Sequence, residues 1–276
     1  MSECDGYEAQ KFGVNDLDSK EFEEYRRFCF EKNKEYLNEY CCFSERVTIH
    51  YNQGFSCFFK PKNFTRENIQ DYPTELKFSS TRILIPIEFD AIMTALLQKN
   101  IGQRGIFRVS QSKKDLDEIF IKTQHMINEN CSRNEFLSEY LKHNEFLLAQ
   151  TFTRMFSLYE NTLFPHNLRS AAIKFDSIRF EDIKSRCYKT LFVSLPRRNR
   201  FLIESICFFL IKIVDQRVLC ENSTEKKNEM KQIVTCIAPR IFLVKSEQIP
   251  SLEIFKLINI LQYIITNIES IIAIDK

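Results

Sequence analysis

Glycine is scarce in this chain, with 5 residues in 276. No G-x-x-x-x-G-K-[ST] segment occurs, so a glycine-rich cradle for nucleotide phosphates is excluded, and any nucleotide is expected to belong to a partner. The 10 cysteines (Cys4, Cys29, Cys41, Cys42, Cys57, Cys131, Cys187, Cys207, Cys220 and Cys236) form no C-x-x-C pair and have no histidine at zinc-ligand spacing, which argues against a metal site. His50, His125, His143 and His166 show neither triad nor ligand spacing with one another. No secretory signal is legible at the N-terminus, so reduced thiols serving as small hydrophobes are expected, and with them a cytoplasmic location. Neither a myristoylation glycine nor a prenylated cysteine box is found at the ends.

Long apolar runs are missing too. The most tempting stretch, Ile206–Ile211, is flanked by Glu204 and Lys212 and falls far short of the roughly 18 to 20 residues that span a bilayer. Charge of one sign is also absent: 39 basic and 37 acidic residues are interspersed and leave a formal charge of +2, which offers no field for nucleic acid. What remains is globular material, 44% hydrophobic and 28% charged, enough for one core of about 190 residues and a smaller appendage, or for two modest domains.

From Asp18 to Phe43 the residues Phe22, Tyr25, Cys29, Tyr36 and Tyr40 recur near helical spacing and predict an amphipathic helix. Val47, Ile49 and Tyr51, then Asn52-Gln53-Gly54, then Phe55, Cys57 and Phe59 predict a β-hairpin that must pack on a neighbour. Lys60–Ser80 holds Pro61 and Pro73 with little periodicity and reads as a linker or packed loop, placing a domain boundary near residue 80.

Beyond it the pattern is helical. Phe89, Ile92, Met93, Leu96 and Leu97 form one stripe; Ser112 and Asp115 suggest a capping box ahead of Leu116, Ile119, Phe120 and Thr123. Asn144 reads as the N-cap of a helix running through Phe146, Phe152 and Tyr159 to a turn at 161–165. Leu202 to Ile213 carries another core stripe, and Glu221–Asn228 reads as a loop by composition. Ile233–Ile237 is apolar and helical, with Pro239 expected to end it, and Leu252–Ile272 supplies the last helix.

Ile85-Pro86, one amphipathic helix, then Gly105-Ile106-Phe107-Arg108-Val109-Ser110 directly before a capped helix resembles the opening of a RhoGAP domain. Asn144-Glu145-Phe146-Leu147-Leu148-Ala149, Leu195-Pro196-Arg197-Arg198-Asn199, and Ile233 through Pro239-Arg240-Ile241-Phe242 follow in family order. The resemblance covers residues 83 to 272. It implies an all-α fold: a RhoGAP-like helical domain over residues 81–276, preceded by an N-terminal extension, 1–80, with one helix and the β-hairpin.

The resemblance also implies a function: activation of GTP hydrolysis by a Rho/Rac-type small GTPase, with Arg108 as the catalytic residue, supplied in trans. A small GTPase is slow because charge building on the phosphoryl oxygens is incompletely neutralised, and an arginine fork meets several oxygens without ever deprotonating. Gly105 permits a tight backbone, and Ile106 and Val109 can anchor the loop. The expected partner is the GTPase in its GTP-bound state, met by a monomer that carries no cofactor and no independent catalysis of its own. GTP and Mg belong to the GTPase, which could also recruit the chain to a membrane.

Four further positions are read as partner-binding. The family carries a lysine in the helix after the finger loop; anchoring on Asn144 and Ala149 places Thr153 there, and a shift of one residue places Arg154 there, rotated by about 100°. Phe156–Leu163 retains little of the family's following run. The family asparagine seven residues before the block-ending proline becomes Gln232, which keeps the amide and adds a methylene, with Asn228 the alternative. Arg104 replaces the usual acid before Gly105, and Gln111 a small residue after Ser110. These departures leave a second reading open, a catalytically weak module that binds a GTPase or another partner without activating it.

Overall fold

The computed structural model describes residues 13–41, 70–99, 105–217, 223–244 and 247–274. The hairpin expected at Val47–Phe59, and Arg104, lie outside the described residues. Within them the apolar spacing resolves into ten α-helices: α1 (Ser19–Cys41), α2 (Ile87–Gln98), α3 (Lys113–Asn128), α4 (Arg133–Tyr140), α5 (Glu145–Met155), α6 (His166–Asp176), α7 (Glu181–Val193), α8 (Arg197–Arg217), α9 (Ser223–Phe242) and α10 (Ser251–Ile272). Two short strands, β1 (Asp71–Pro73) and β2 (Leu84–Pro86), pair antiparallel with Tyr72 opposite Ile85. No described helix is long and apolar enough to cross a membrane.

Helix boundaries follow from local chemistry. Asn144 accepts a hydrogen bond from Leu147 N at 2.9 Å and so satisfies one of the orphan donors at the start of α5. Asp18 and Glu21 cap α1 reciprocally, each side chain accepting from the other's backbone N–H at 2.9 to 3.0 Å. Ser132 and Glu135 do the same for α4. The capping box expected at Ser112 does not form: Ser112 is the N-cap of α3 but its side chain makes no capping bond. Asp115 is one methylene shorter than the glutamate that motif uses.

Two other expectations are corrected. Glu221–Asn228 is not a loop throughout, because α9 begins at Ser223. Its first turns are polar because they are largely solvent-facing, and Glu225 there suits the positive end of the helix dipole. Pro239 does not end that helix, which continues to Phe242. The ring forfeits one backbone bond, but Ile237, Ala238, Ile241 and Phe242 around it are all buried, and their packing outweighs a cost of about 3 kcal/mol.

The helices α8, α9 and α10 pack on one another, with α2 to α5 gathered on one side and α1, α6 and α7 on the other. Phe152 of α5 is the aromatic hub of the first group: its ring centroid lies 6.0 Å from Phe89 in α2, 5.5 Å from Phe156, 5.3 Å from Phe209 in α8 and 6.2 Å from Phe107 in the loop before α3. That last contact ties the loop to the core. On the other side Asn33 of α1 donates to Thr190 Oγ1 in α7 at 3.0 Å, and Phe22 covers the Arg200 guanidinium at 3.9 Å. The division expected at residue 80 therefore runs through shared packing, since residues on both sides of it build this layer.

The motif blocks act as joints. Asn199, fully buried, donates to Leu163 O at 2.6 Å, and Arg198 pairs with Asp71 of β1. Phe164 N donates to Ile241 O at 3.2 Å, so the end of α9 is held by the segment that follows α5.

Candidate functional site

The loop between α2 and α3 is anchored at its start and exposed at its tip. Gly105 sits at φ +79°, a left-handed conformation in which a side chain would be strained. The turn it permits is closed by Arg108 N and Val109 N, both donating to Gly105 O, at 2.7 and 3.1 Å. Ile106 and Phe107 are buried, whereas Arg108, Val109 and Ser110 are exposed. Ile106 thus anchors the loop as expected from its apolar character, but the second anchor is Phe107; Val109, expected to turn inward, is 43% exposed.

Helices α5 and α9 form the ground beneath the tip. Arg108 Nη1 donates to Gln232 Oε1 at 3.2 Å across 124 residues of sequence. One turn farther along α9 lies Cys236, whose thiol is pushed up by burial although the Arg108 charge acts in the opposite direction. Asn228, the alternative to Gln232, is an exposed residue one turn earlier on α9.

On α5 the residue that meets the loop is Gln150. Its Nε2 donates to Val109 O, and its Oε1 accepts from Gln111 N at 3.3 Å. Sequence reasoning missed it, because a glutamine at the end of an apolar run looks like any polar residue on a helix. Thr153 and Arg154 follow it at the i+3 and i+4 positions that share a helix face. The Thr153 hydroxyl donates to Gln150 O at 2.8 Å. Arg154 reaches toward α3, where Nη1 meets Asp117 Oδ1 at 2.5 Å and the guanidinium lies 4.2 Å above the Phe120 ring. The structure thus brings Gln232 and Gln150 to the loop, and engages Arg154 with α3.

Among the described residues, a guanidinium, the Ser110 hydroxyl and the side-chain amides of Gln111, Gln150 and Gln232 stand around the tip. This set has no general base and no activated nucleophile; what it can offer is an always-charged donor fork held by one neutral hydrogen bond, available to an external anion. No group of three or more His, Cys, Asp or Glu residues able to hold a metal ion occurs among the described residues. Cys29, Cys131, Cys187, Cys207 and Cys236 are free thiols.

A family model described as RhoGAP domain matches residues 86–246. The Saccharomyces cerevisiae Rho-GTPase-activating protein LRG1 is 24% identical over 176 residues, which is 64% of this chain but 16% of that relative's length. Among solved structures, the BH domain from GRAF, the GTPase regulator associated with focal adhesion kinase, aligns with a TM-score of 0.53 at 12% identity, covering 67% of this chain and 94% of that one. Human Rho GTPase activating protein 15 aligns with a TM-score of 0.54 at 15% identity, covering 68% of this chain and 83% of that one. These two likenesses concern the fold.

Proposed function

The chain belongs to the RhoGAP domain family, and from that premise we propose that it accelerates GTP hydrolysis by a Rho-family small GTPase, with Arg108 inserted in trans. The observation that carries this reading is the construction of the loop: a left-handed Gly105, two buried anchors and an exposed Arg108 at the tip. The partner is the GTP-bound GTPase, which brings the nucleotide and Mg, while this chain contributes no cofactor. Arg108 gives up one neutral hydrogen bond to Gln232 and meets charge that develops on the transferring phosphoryl group, an exchange that favours the transition state over the ground state. Gln232, Thr153 and Arg154 border the contact, and Arg104, four positions before the finger in the sequence, is the remaining partner-binding residue of this reading. The chain acts as a monomer in the cytoplasm and reaches membranes through its partner.

A binding-only module is the second reading, and one observation favours it. The family's lysine is missing whether its position falls on Thr153 or on Arg154, and the cation there, Arg154, already has Asp117 as its counter-charge. The two readings separate in one experiment: GTP hydrolysis over a panel of small GTPases, with and without the protein. Stimulation of a Rho-family member supports activation; binding to GTP-loaded GTPase without stimulation supports the second reading, and neither would dismiss both.

A further inference from the structure

We propose that Gln150 is a positioning residue for the finger: a single side-chain amide that locks the loop backbone on both sides of Ser110 and thereby sets the direction in which Arg108 projects. The inference rests on the proposed function above but on a different observation. Gln150 Nε2 donates to Val109 O while its Oε1 accepts from Gln111 N at 3.3 Å. One amide plane therefore bridges a carbonyl and an N–H two residues apart, in the manner of a strand edge. Only one orientation of the amide satisfies both bonds, since a flip would set NH2 against N–H and oxygen against carbonyl.

The brace matters because of where the loop is otherwise held. Gly105, Ile106 and Phe107 fix its entrance, and α3 begins at Lys113, leaving the exposed run from Arg108 to Ser110 between them. Val109 is 43% exposed, and Ser112 makes no side-chain capping bond that could fix the exit. Among the described residues Gln150 closes this gap, and it stands on a rigid element: α5 is capped by Asn144, and Ala149 and Phe152 beside it are fully buried. The side chain must reach from helix to loop, so asparagine, one methylene shorter, cannot replace it. Glutamate would keep the acceptor for Gln111 N but lose the donor and set a carboxylate against the Val109 carbonyl.

The test uses the full chain with Gln150→Leu and Gln150→Glu. In the free protein, hydrogen exchange at the Gln111 amide should quicken about tenfold or more in Gln150→Leu, as expected when a hydrogen bond is lost, while amides inside α5 keep their protection. With a GTPase, the single-turnover rate at saturating protein should fall about ten- to a hundredfold, the scale of a misplaced catalytic group, and the affinity for GTP-loaded GTPase should change little. In an Arg108→Ala background, Gln150→Leu should cost nothing further, because its effect passes through the finger. Unchanged Gln111 exchange would overturn the brace whatever the activity. Undiminished stimulation by Gln150→Leu, or a fall in affinity that accounts for the whole loss, would overturn the positioning role. If the wild type stimulates no GTPase, quickened Gln111 exchange still upholds the brace, and it is the proposed function that falls.

Discussion

Replacing Glu204 by alanine removes the acceptor for several buried donors at once. The carboxylate is 0% exposed and accepts from Asn15 Nδ2 at 2.6 Å, Phe78 N at 2.8 Å, Ser79 N at 2.6 Å and Ser79 Oγ at 2.8 Å. All of these donors precede residue 80, whereas Glu204 sits inside α8, so the substitution cuts one cluster of the bonds that join the N-terminal segment to the helical body. A buried donor left unpaired costs about 1 to 3 kcal/mol. The donors share one acceptor and water can enter the vacated volume, so the total should fall below the simple sum, at about 3 to 5 kcal/mol. For a chain of this size each kcal/mol is worth about 2 to 4 °C, giving a fall in Tm of roughly 6 to 20 °C by circular dichroism. A fragment of residues 83–276 loses these bonds together with the packing of α1 on α7 and should melt lower than the full chain. A Glu204→Ala protein melting within about 2 °C of wild type would refute the reasoning, as would a fragment of undiminished stability.

Three other outcomes are expected. In Gly105→Ala the new Cβ would meet nothing nearer than 4.0 Å among the described residues, so the cost there is that of the φ of +79°, about 1 to 2 kcal/mol; stimulation should drop with a fall in Tm of only about 2 to 8 °C, and an unaffected rate would show that the loop tolerates another backbone path. Burial pushes the Glu139 carboxyl up, but hydrogen bonds and charge from Lys122 and Lys142 outweigh it and hold it at about 2. A depressed value means stability present above the ordinary carboxylate range and lost as pH falls toward about 2, so Glu139→Gln should flatten the acid limb of the urea midpoint, and an unchanged limb would remove the group from the balance. At the GTPase contact, Arg154→Glu should weaken binding to the GTP-loaded partner more than Arg154→Ala, since it adds repulsion to the lost cation; equal affinities would make Arg154 a bystander.

Much of the helical body was legible because its stripes are strongly apolar. Phe89 to Leu97, Leu202 to Ile213 and Leu252 to Ile272 announce α2, α8 and α10, and Asn144 caps α5 with its side chain as the sequence suggests. Helices α4, α6 and α7 were not marked, since α4 has only eight residues and the apolar positions of all three are diluted by charged ones. The polar start of α9 could not be told from a loop, because an exposed helical turn and a loop share the same composition. At the site, counting back from Pro239 found Gln232, which stands within hydrogen-bonding distance of Arg108. Gln150 had no such signal: what gives it a role is the backbone of a loop about 40 residues away, which only the fold supplies.

The central claim is that Arg108 stabilises charge present mainly in the transition state, and it is tested most directly by single-turnover GTP hydrolysis with Arg108→Ala, alongside affinity for the GTP-loaded GTPase. The account predicts that stimulation falls by about 10³ to 10⁵, the scale of an arginine finger, while affinity stays within a modest factor and Arg108→Lys recovers little. Undiminished stimulation by Arg108→Ala would contradict it.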